Sequence, residues 1–81
     1  RMEREEILKQ VTEIFRDVFD DVEIIVRDET SAIDIPEWDS LIQIELIHAN
    51  ETHFGLKFGM REVLSMQNVG EMIDVIQDRH S

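Results

Sequence analysis

Residues 2–20, MEREEILKQVTEIFRDVFD, carry the clearest structural pattern in the chain. Their apolar residues follow the i, i+1, i+4, i+7, i+8 spacing that places side chains on one face of a helix. They are Ile7, Leu8, Val11, Ile14, Phe15, Val18 and Phe19. Glu3, Glu5 and Glu6 fall in the first turns, where carboxylates interact favourably with the positive end of the helix dipole. The stretch predicts an amphipathic helix from Met2 to about Asp20.

Residues 21–39 lack this period, because acidic and β-branched residues are mixed there and the only proline, Pro36, lies near the end. Alternating apolar residues between Val22 and Ile35 are compatible with a strand, but a lone strand would have no partner in so short a chain. We therefore predict a long ordered loop. Loops of this length are uncommon in compact domains and are often functional.

A second helix is predicted from Asp39 or Ser40 to about His53, with Gly55 ending it in the manner common at helix C-termini. Its predicted core face consists of Leu46, Ile47, Ala49 and Phe54. A different stripe of the same helix carries Leu41, Ile44, Glu45, His48 and Glu51. That second stripe is free to face solvent or a partner.

Two further helices complete the prediction. A short one covers Met60 to Leu64, and the last begins after Asn68, an N-cap residue with Glu71 at the reciprocal capping position. The apolar face of the last helix is formed by Val69, Met72, Ile73 and Ile76. The sequence thus predicts a single all-α domain over residues 1–81, a small four-helix bundle of three longer helices and one short helix, with the long loop between the first and second helices.

Length and charge restrict the function. With 81 residues the domain buries roughly 60 to 65% of its unfolded surface, too little for a deep, water-excluding cleft. The net charge of −11 repels nucleic acids and anionic lipids and favours partners with basic patches. No apolar run reaches membrane-spanning length. We therefore expect a monomeric, cytoplasmic, free-standing protein that binds no nucleic acid, does not insert into membranes and is not itself an enzyme.

Cysteine and metal chemistry have little support. The chain has no cysteine, so any thioester chemistry needs a thiol from elsewhere. His48 and His53 are five residues apart, about 140° around a helix, and cannot share a ligand face. We predict no metal site and no catalytic residue.

Ser40 is the residue with the most chemical interest, because it starts a helix after a long loop. A phosphodiester on its hydroxyl would lie near the free N–H groups of the helix. The alternative is structural: Ser40 with Gln43 matches a capping box, and Asp39 is itself a good N-cap. The tripeptide Asp39-Ser40-Leu41 alone favours the capping role.

A wider pattern changes that balance. The segments Trp38-Asp39-Ser40-Leu41, Glu45-Leu46-Ile47, His53-Phe54-Gly55-Leu56-Lys57-Phe58 and Asn68-Val69-Gly70-Glu71-Met72-Ile73 occur in this order within residues 35–76. In sequence and spacing they resemble the acyl carrier protein family, the phosphopantetheine-binding carrier domains. The resemblance implies a covalent 4'-phosphopantetheine arm on Ser40, attached from coenzyme A by a phosphopantetheinyl transferase, with Asp39 and Leu41 in the attachment motif.

The resemblance also implies partners. Family members dock onto basic patches of acyl-loading, condensing or modifying enzymes through an exposed face of the second helix. In this chain the corresponding partner-binding residues are Ile44, Glu45, His48 and Glu51, extended by Phe58 and Glu62. The implied function is a carrier of acyl or related cargo in fatty-acid, polyketide or related biosynthesis.

Two positions depart from the family pattern. Ile42 stands where the family often has an acidic residue, which makes the docking face less charged. Asn50 stands where the family usually has a leucine facing the space between helices, and an unpaired buried amide costs about 1 to 3 kcal/mol. We hypothesise that the cargo is shorter or more polar than a long fatty acyl chain, or stays outside the bundle.

Two alternatives remain open at this stage. Within the carrier class, the chain could be a peptidyl or aminoacyl carrier, including a D-alanyl carrier, because such carriers share the fold and the serine motif. Outside that class, it could be an unmodified acidic helical module that binds a basic partner through its second helix. Ser40 would then be only a cap.

Overall fold

A computed structural model describes residues 2–80, so Arg1 and Ser81 of the predicted domain lie outside the described residues. Four helices are present: α1 Arg4–Phe19, α2 Ser40–Phe54, α3 Met60–Ser65 and α4 Val69–Arg79. Between residues 2 and 80 there is no strand. The predicted all-α, four-helix architecture with a long loop after the first helix is confirmed, and each predicted boundary lies within about two residues of the observed one, the usual uncertainty of helix ends.

The core forms where α1 packs against both α2 and α4. The buried side chains of α1 follow the predicted face and are Ile7, Val11, Ile14 and Phe15. From α4 the core receives Val69, Met72, Ile73 and Ile76. Helix α1 ends at Asp20, which adopts the left-handed conformation with φ of 53°. The chain can then turn sharply into the loop, at the conformational cost that an L-residue has in this region.

The long loop is fixed to the start of α4. The N–H of Gly70 donates to the carbonyl of Asp28 at 2.8 Å, and the N–H of Val69 donates to the carbonyl of Thr30 at 2.9 Å. Val26 adds a buried apolar side chain. These bonds satisfy helix N–H groups that have no partner inside α4. The loop is thus an ordered part of the fold, as predicted.

Arg4 connects three parts of the chain. Its guanidinium contacts the carboxylates of Asp28 in the loop and Asp74 in α4, at 3.3 and 2.6 Å, and donates to the carbonyl of Gly70 at 3.1 Å. The hydrogen bond to Asp74 is the main cause of a raised pKa for Arg4. One side chain thereby joins α1, the loop and α4.

Helix α2 is rotated slightly from the predicted orientation. Leu46 and Phe54 are buried as predicted, but Ile47 and Ala49 are only half-buried, and Asn50 takes the central buried place between Leu46 and Phe54. The reason is that α2 has apolar residues on several sides, so its hydrophobic pattern does not define one core face. Gly55 ends the helix with φ of 68°, as its position predicts.

Helix α4 begins with a cap at Asn68, whose Oδ1 accepts the N–H of Glu71 at 2.9 Å. The reciprocal bond is displaced by one residue, because the Glu71 carboxylate accepts the N–H of Gln67 instead. At the other end, Nε2 of His80 lies 2.9 Å from the carbonyl oxygen of Phe54. The C-terminal ends of α2 and α4 therefore lie next to each other.

Candidate functional site

Ser40 is the first residue of α2, and its side chain is exposed. The cap is the preceding residue: Oδ1 of Asp39 accepts the N–H of Ile42 at 2.9 Å. The Ser40 hydroxyl makes no hydrogen bond to any residue between Met2 and His80. Within the same range, the backbone N–H groups of Ser40 and Leu41 also have no acceptor. The serine thus combines an accessible hydroxyl with two free donors at a helix N-terminus.

The alternative capping box does not form. Gln43, its proposed second member, uses Oε1 to accept the indole N–H of Trp38 at 2.7 Å. The Trp38 ring also packs edge-on against Phe15 and Phe19, with ring centroids 5.3 and 6.4 Å away. These contacts fix the end of the loop to the first turn of α2 and to α1. The fold therefore positions Ser40 through its neighbours and leaves its own side chain uncommitted.

An open cleft of about 580 Å³ lies beside the serine. It is lined by Ala32, Trp38, Asp39, Ser40, Gln43, Ile44, Met66, Gln67, Asn68 and Met72. Most of its exposed lining is apolar, and polar side chains of α2 and of the segment before α4 make up the rest. Small-molecule sites commonly have this size and this mixture of surfaces. A flexible group attached to Ser40 could pack against the apolar surface of this cleft.

The predicted docking stripe of α2 is largely at the surface. Leu41 and Ile44 are 65% and 66% exposed, and Glu45 and His48 are exposed beside them. Glu51 is half-buried, because its Oε2 accepts the N–H of Phe58 at 2.8 Å. Ile42 packs partly against the core. The first two turns of α2 thus present an apolar centre with acidic and polar neighbours.

Phe58 and Glu62 do not extend this stripe as predicted. The side chain of Phe58 is buried, since its ring joins the core after the backbone turns out of α2, and the prediction that it is exposed is wrong. Glu62 is half-buried, and its carboxylate already has two partners in the fold. It accepts the N–H of Gly59 at 2.7 Å and contacts the Arg79 guanidinium at 2.5 Å. The Gly59 bond, followed by Arg79, holds the pKa of Glu62 below its usual value.

Two exposed apolar residues near this region were not predicted. Met60 and Leu64, both in α3, are 78% and 76% exposed. They are four residues apart and therefore lie on one side of the short helix. That spacing was visible in the sequence, but a helix of six residues offers too few positions to tell a core face from a surface face.

Asn50 is completely buried in α2. Its Nδ2 donates to the carbonyl of Leu46 one turn earlier at 2.8 Å, but its Oδ1 accepts no hydrogen bond from the residues that the structure describes. A buried acceptor without a partner costs about 1 to 3 kcal/mol. The Asn50 amide therefore does not point outward to solvent, and only one of its two polar atoms has a partner among the described residues.

Among residues 2–80, no three or more His, Asp or Glu side chains are grouped so that they could hold a metal ion. In the same range, every helix is too short or too polar to cross a membrane.

The chain is similar to known proteins in sequence and in structure. No family model matches the chain. Over 75 residues it is 33% identical to an acyl carrier protein of Acidothermus cellulolyticus, an alignment covering 93% of this chain and 89% of that protein. The structure is similar to the solution NMR structure of holo acyl carrier protein from Geobacter metallireducens, with a TM-score of 0.83, 44% identity, and coverage of 88% of this chain and 82% of that one. The chain belongs to the acyl carrier protein family.

Proposed function

We propose that this carrier protein holds its cargo as a thioester on a 4'-phosphopantetheine arm joined to Ser40. The observation that carries the proposal is the state of the serine, which is exposed, unbonded and preceded by the residue that caps the helix. Two unbonded N–H groups and the positive end of the α2 dipole favour a phosphodiester at this position. The cleft beside it offers apolar surface to a flexible group.

When attached, the arm supplies the terminal thiol that the cysteine-free chain lacks. Attachment joins Oγ of Ser40 to the phosphorus of the coenzyme A pyrophosphate that bears the pantetheine group. The pyrophosphate P–O bond breaks, adenosine 3',5'-bisphosphate leaves, and the serine proton passes to a base of the transferase. The chain needs no base of its own, which agrees with the unbonded Ser40 hydroxyl. Asp39 and Leu41 present the serine, since Asp39 caps the helix that begins at Ser40 and Leu41 is exposed next to it.

The partners we propose are a phosphopantetheinyl transferase and the enzymes that load, extend or modify an acyl cargo in fatty-acid, polyketide or related biosynthesis. The surface supporting this comprises Leu41, Ile44, Glu45 and His48, with Glu51 at its edge. Its apolar centre suits a small hydrophobic contact, and its acidic residues suit a partner with basic groups around that contact. Such charges raise association rates more than affinity, as a carrier that visits several enzymes requires.

The setting we propose is the cytoplasm, where thiols remain reduced and the arm would stay free to react. Catalysis belongs to the partner enzymes, and the chain contributes presentation and recognition. A monomer is sufficient for this role.

Intact-mass measurement tests the proposal directly. The purified protein is incubated with coenzyme A and a broad-specificity phosphopantetheinyl transferase, alongside Ser40→Ala and the control Ser65→Ala. Ser65 is an exposed serine in α3, so its loss should leave the modification unchanged. We expect one added phosphopantetheine in the wild type and in Ser65→Ala, and none in Ser40→Ala. An unchanged wild-type mass would overturn the proposal and support an unmodified acidic interaction module.

A further inference from the structure

The unpaired Oδ1 of Asn50 is the polar feature of the core that the fold itself does not explain. The side chain is fully buried, and its amide nitrogen already bonds to the carbonyl of Leu46. No donor between residues 2 and 80 reaches the oxygen. Buried polar atoms in native proteins nearly always have a partner, so an exception calls for one from outside the chain.

The position of Asn50 relates it to the site of attachment. Asn50 lies two turns after Gln43 on the same face of α2, about 10.5 Å along the helix axis. Gln43 lines the cleft beside Ser40, as does Met72 of α4, a residue that is otherwise buried. Gln43 thus places one wall of the cleft on the same face of α2 as Asn50, which lies deeper in the bundle.

The packing of the helices leaves this region free to open. Helix α1 packs closely on α2 and on α4, whereas α2 and α4 approach each other less closely. They are linked at one end through His80 and Phe54, and at the other end residues of both line the cleft. A slender group could enter between them from the cleft without separating either helix from α1.

We propose that Oδ1 of Asn50 is a specificity determinant, which accepts a hydrogen bond from a hydroxyl or amide N–H carried on the cargo chain. This inference rests on the proposed function, because the cargo reaches Asn50 only if it is attached through Ser40. The chemical class is an otherwise aliphatic acyl group with one internal donor, since Asn50 is the single buried polar residue among those that the structure describes. A purely aliphatic cargo would leave the acceptor unpaired, and such a mismatch discriminates strongly between otherwise similar ligands.

The test compares matched cargoes. Wild-type protein, Asn50→Leu and the control Thr52→Val are loaded by the transferase with an eight-carbon saturated acyl group, or with analogues carrying a hydroxyl on the third, fifth or seventh carbon. Thr52 is an exposed polar residue of α2 close to Asn50 in sequence, so it controls for any change to the helix. Intact mass verifies loading, the melting temperature of each loaded form is measured, and NMR follows the Asn50 side-chain amide.

In the wild type and in Thr52→Val, we expect at least one hydroxylated cargo to raise the melting temperature by about 2 to 8 °C more than the saturated cargo does. That cargo should also shift the Asn50 amide signals. In Asn50→Leu the preference should disappear or reverse in favour of the saturated cargo.

Full loading without any preference in the wild type would overturn this inference alone, and would indicate that Oδ1 is satisfied by water. A preference that persists in Asn50→Leu would also overturn it. Absence of loading on Ser40 would instead overturn the proposed function, and the inference with it.

Discussion

Asp39 accepts the N–H of Ile42 through Oδ1 at 2.9 Å, so the helix that begins with Ser40 is capped by its neighbour. The role of helix cap therefore belongs to Asp39, and the proposed role of attachment site belongs to Ser40. One side chain stabilises the helix start, and the other is available for modification.

The first prediction separates these roles by their effect on stability. Asp39→Ala should lower the free energy of unfolding by about 1 kcal/mol, because it removes an N-cap bond. Ser40→Ala should change it by less than about 0.5 kcal/mol, as expected for an exposed side chain without a partner. Urea denaturation followed by circular dichroism measures both. Equal losses in the two variants would mean that Ser40 also caps α2.

The second prediction concerns Gly70, where the loop meets α4. A Cβ atom there would lie 3.0 Å from the carbonyl oxygen of Asp28 and 3.2 Å from its Cβ, so Gly70→Ala must push the loop away. We expect a loss of about 1 to 3 kcal/mol in the free energy of unfolding, measured by urea denaturation. The matched control is Gly59→Ala, where the nearest atom is a flexible carboxylate oxygen at 3.5 Å and φ is −74°. A control as unstable as Gly70→Ala would remove the steric explanation.

The third prediction concerns pH. The Gly59 N–H and Arg79 lower the pKa of Glu62 in the folded protein, so ionised Glu62 stabilises the fold above its unfolded pKa of about 4.3. This contribution is lost as the pH falls through the lower folded value. Glu62→Gln should therefore be less stable than the wild type at neutral pH, and the difference should shrink as the pH falls below about 4.3. Melting temperatures from neutral to acid pH test this.

Glu37→Gln is the control for that experiment, because the Glu37 side chain is exposed and makes no hydrogen bond or ion pair with residues 2–80. The melting temperature of Glu37→Gln should differ from that of the wild type by the same amount at every pH. A difference for Glu62→Gln that stays constant down to strong acid would contradict the assigned cause.

The fourth prediction concerns the proposed docking surface. Glu45→Lys should slow modification of Ser40 several-fold at low salt, because it reverses a charge about one and a half turns from the serine, and the effect should weaken as salt screens it. The control Glu29→Lys makes the same charge change in the loop, at another exposed position. Transferase kcat/KM against salt concentration provides the measurement. Equal effects from both variants would indicate net charge as the cause.

The fifth prediction concerns the whole molecule. A net charge of −11 on a body with a radius of gyration of 11.6 Å produces strong self-repulsion in the folded state. The melting temperature should therefore rise between about 10 mM and 150 mM sodium chloride, where the screening length falls from roughly 30 to 8 Å. Calorimetry at the two concentrations is sufficient. An unchanged melting temperature would contradict this account, because it would show that repulsion among the charges contributes little to the stability of the fold.

Much of the fold was predictable because its signals are local. The apolar spacing of α1, the turn at Gly55 and the cap at Asn68 each depend on residues within a few positions of one another. The contacts of Arg4 gave no such signal, since Asp28 and Asp74 lie 24 and 70 positions away. Nothing near Arg4 distinguishes it from other charged residues at the start of a helix.

The site was predictable in part for the same reason. The motif around Ser40 is contiguous, and its exposure at the start of a helix followed from the loop before it. The choice between Ser40 and Asp39 as the cap depended on which oxygen reaches the N–H of Ile42, which spacing alone does not decide. Burial of Phe58 depended on the path of the chain after α2, for which the sequence carries no periodic signal.

The contacts of Arg4 bear on the order in which the protein is made and modified. Arg4 of α1 holds the loop before Ser40 through Asp28, and it also contacts Gly70 and Asp74 of α4. These two residues of α4 leave the ribosome well after the serine. A growing chain that ends before α4 lacks the bonds to Gly70 and Asp74, so the segment before Ser40 is then held by Trp38 and by the contact between Arg4 and Asp28. We therefore expect a modifying enzyme to meet Ser40 beside a fully anchored loop only after translation has passed α4.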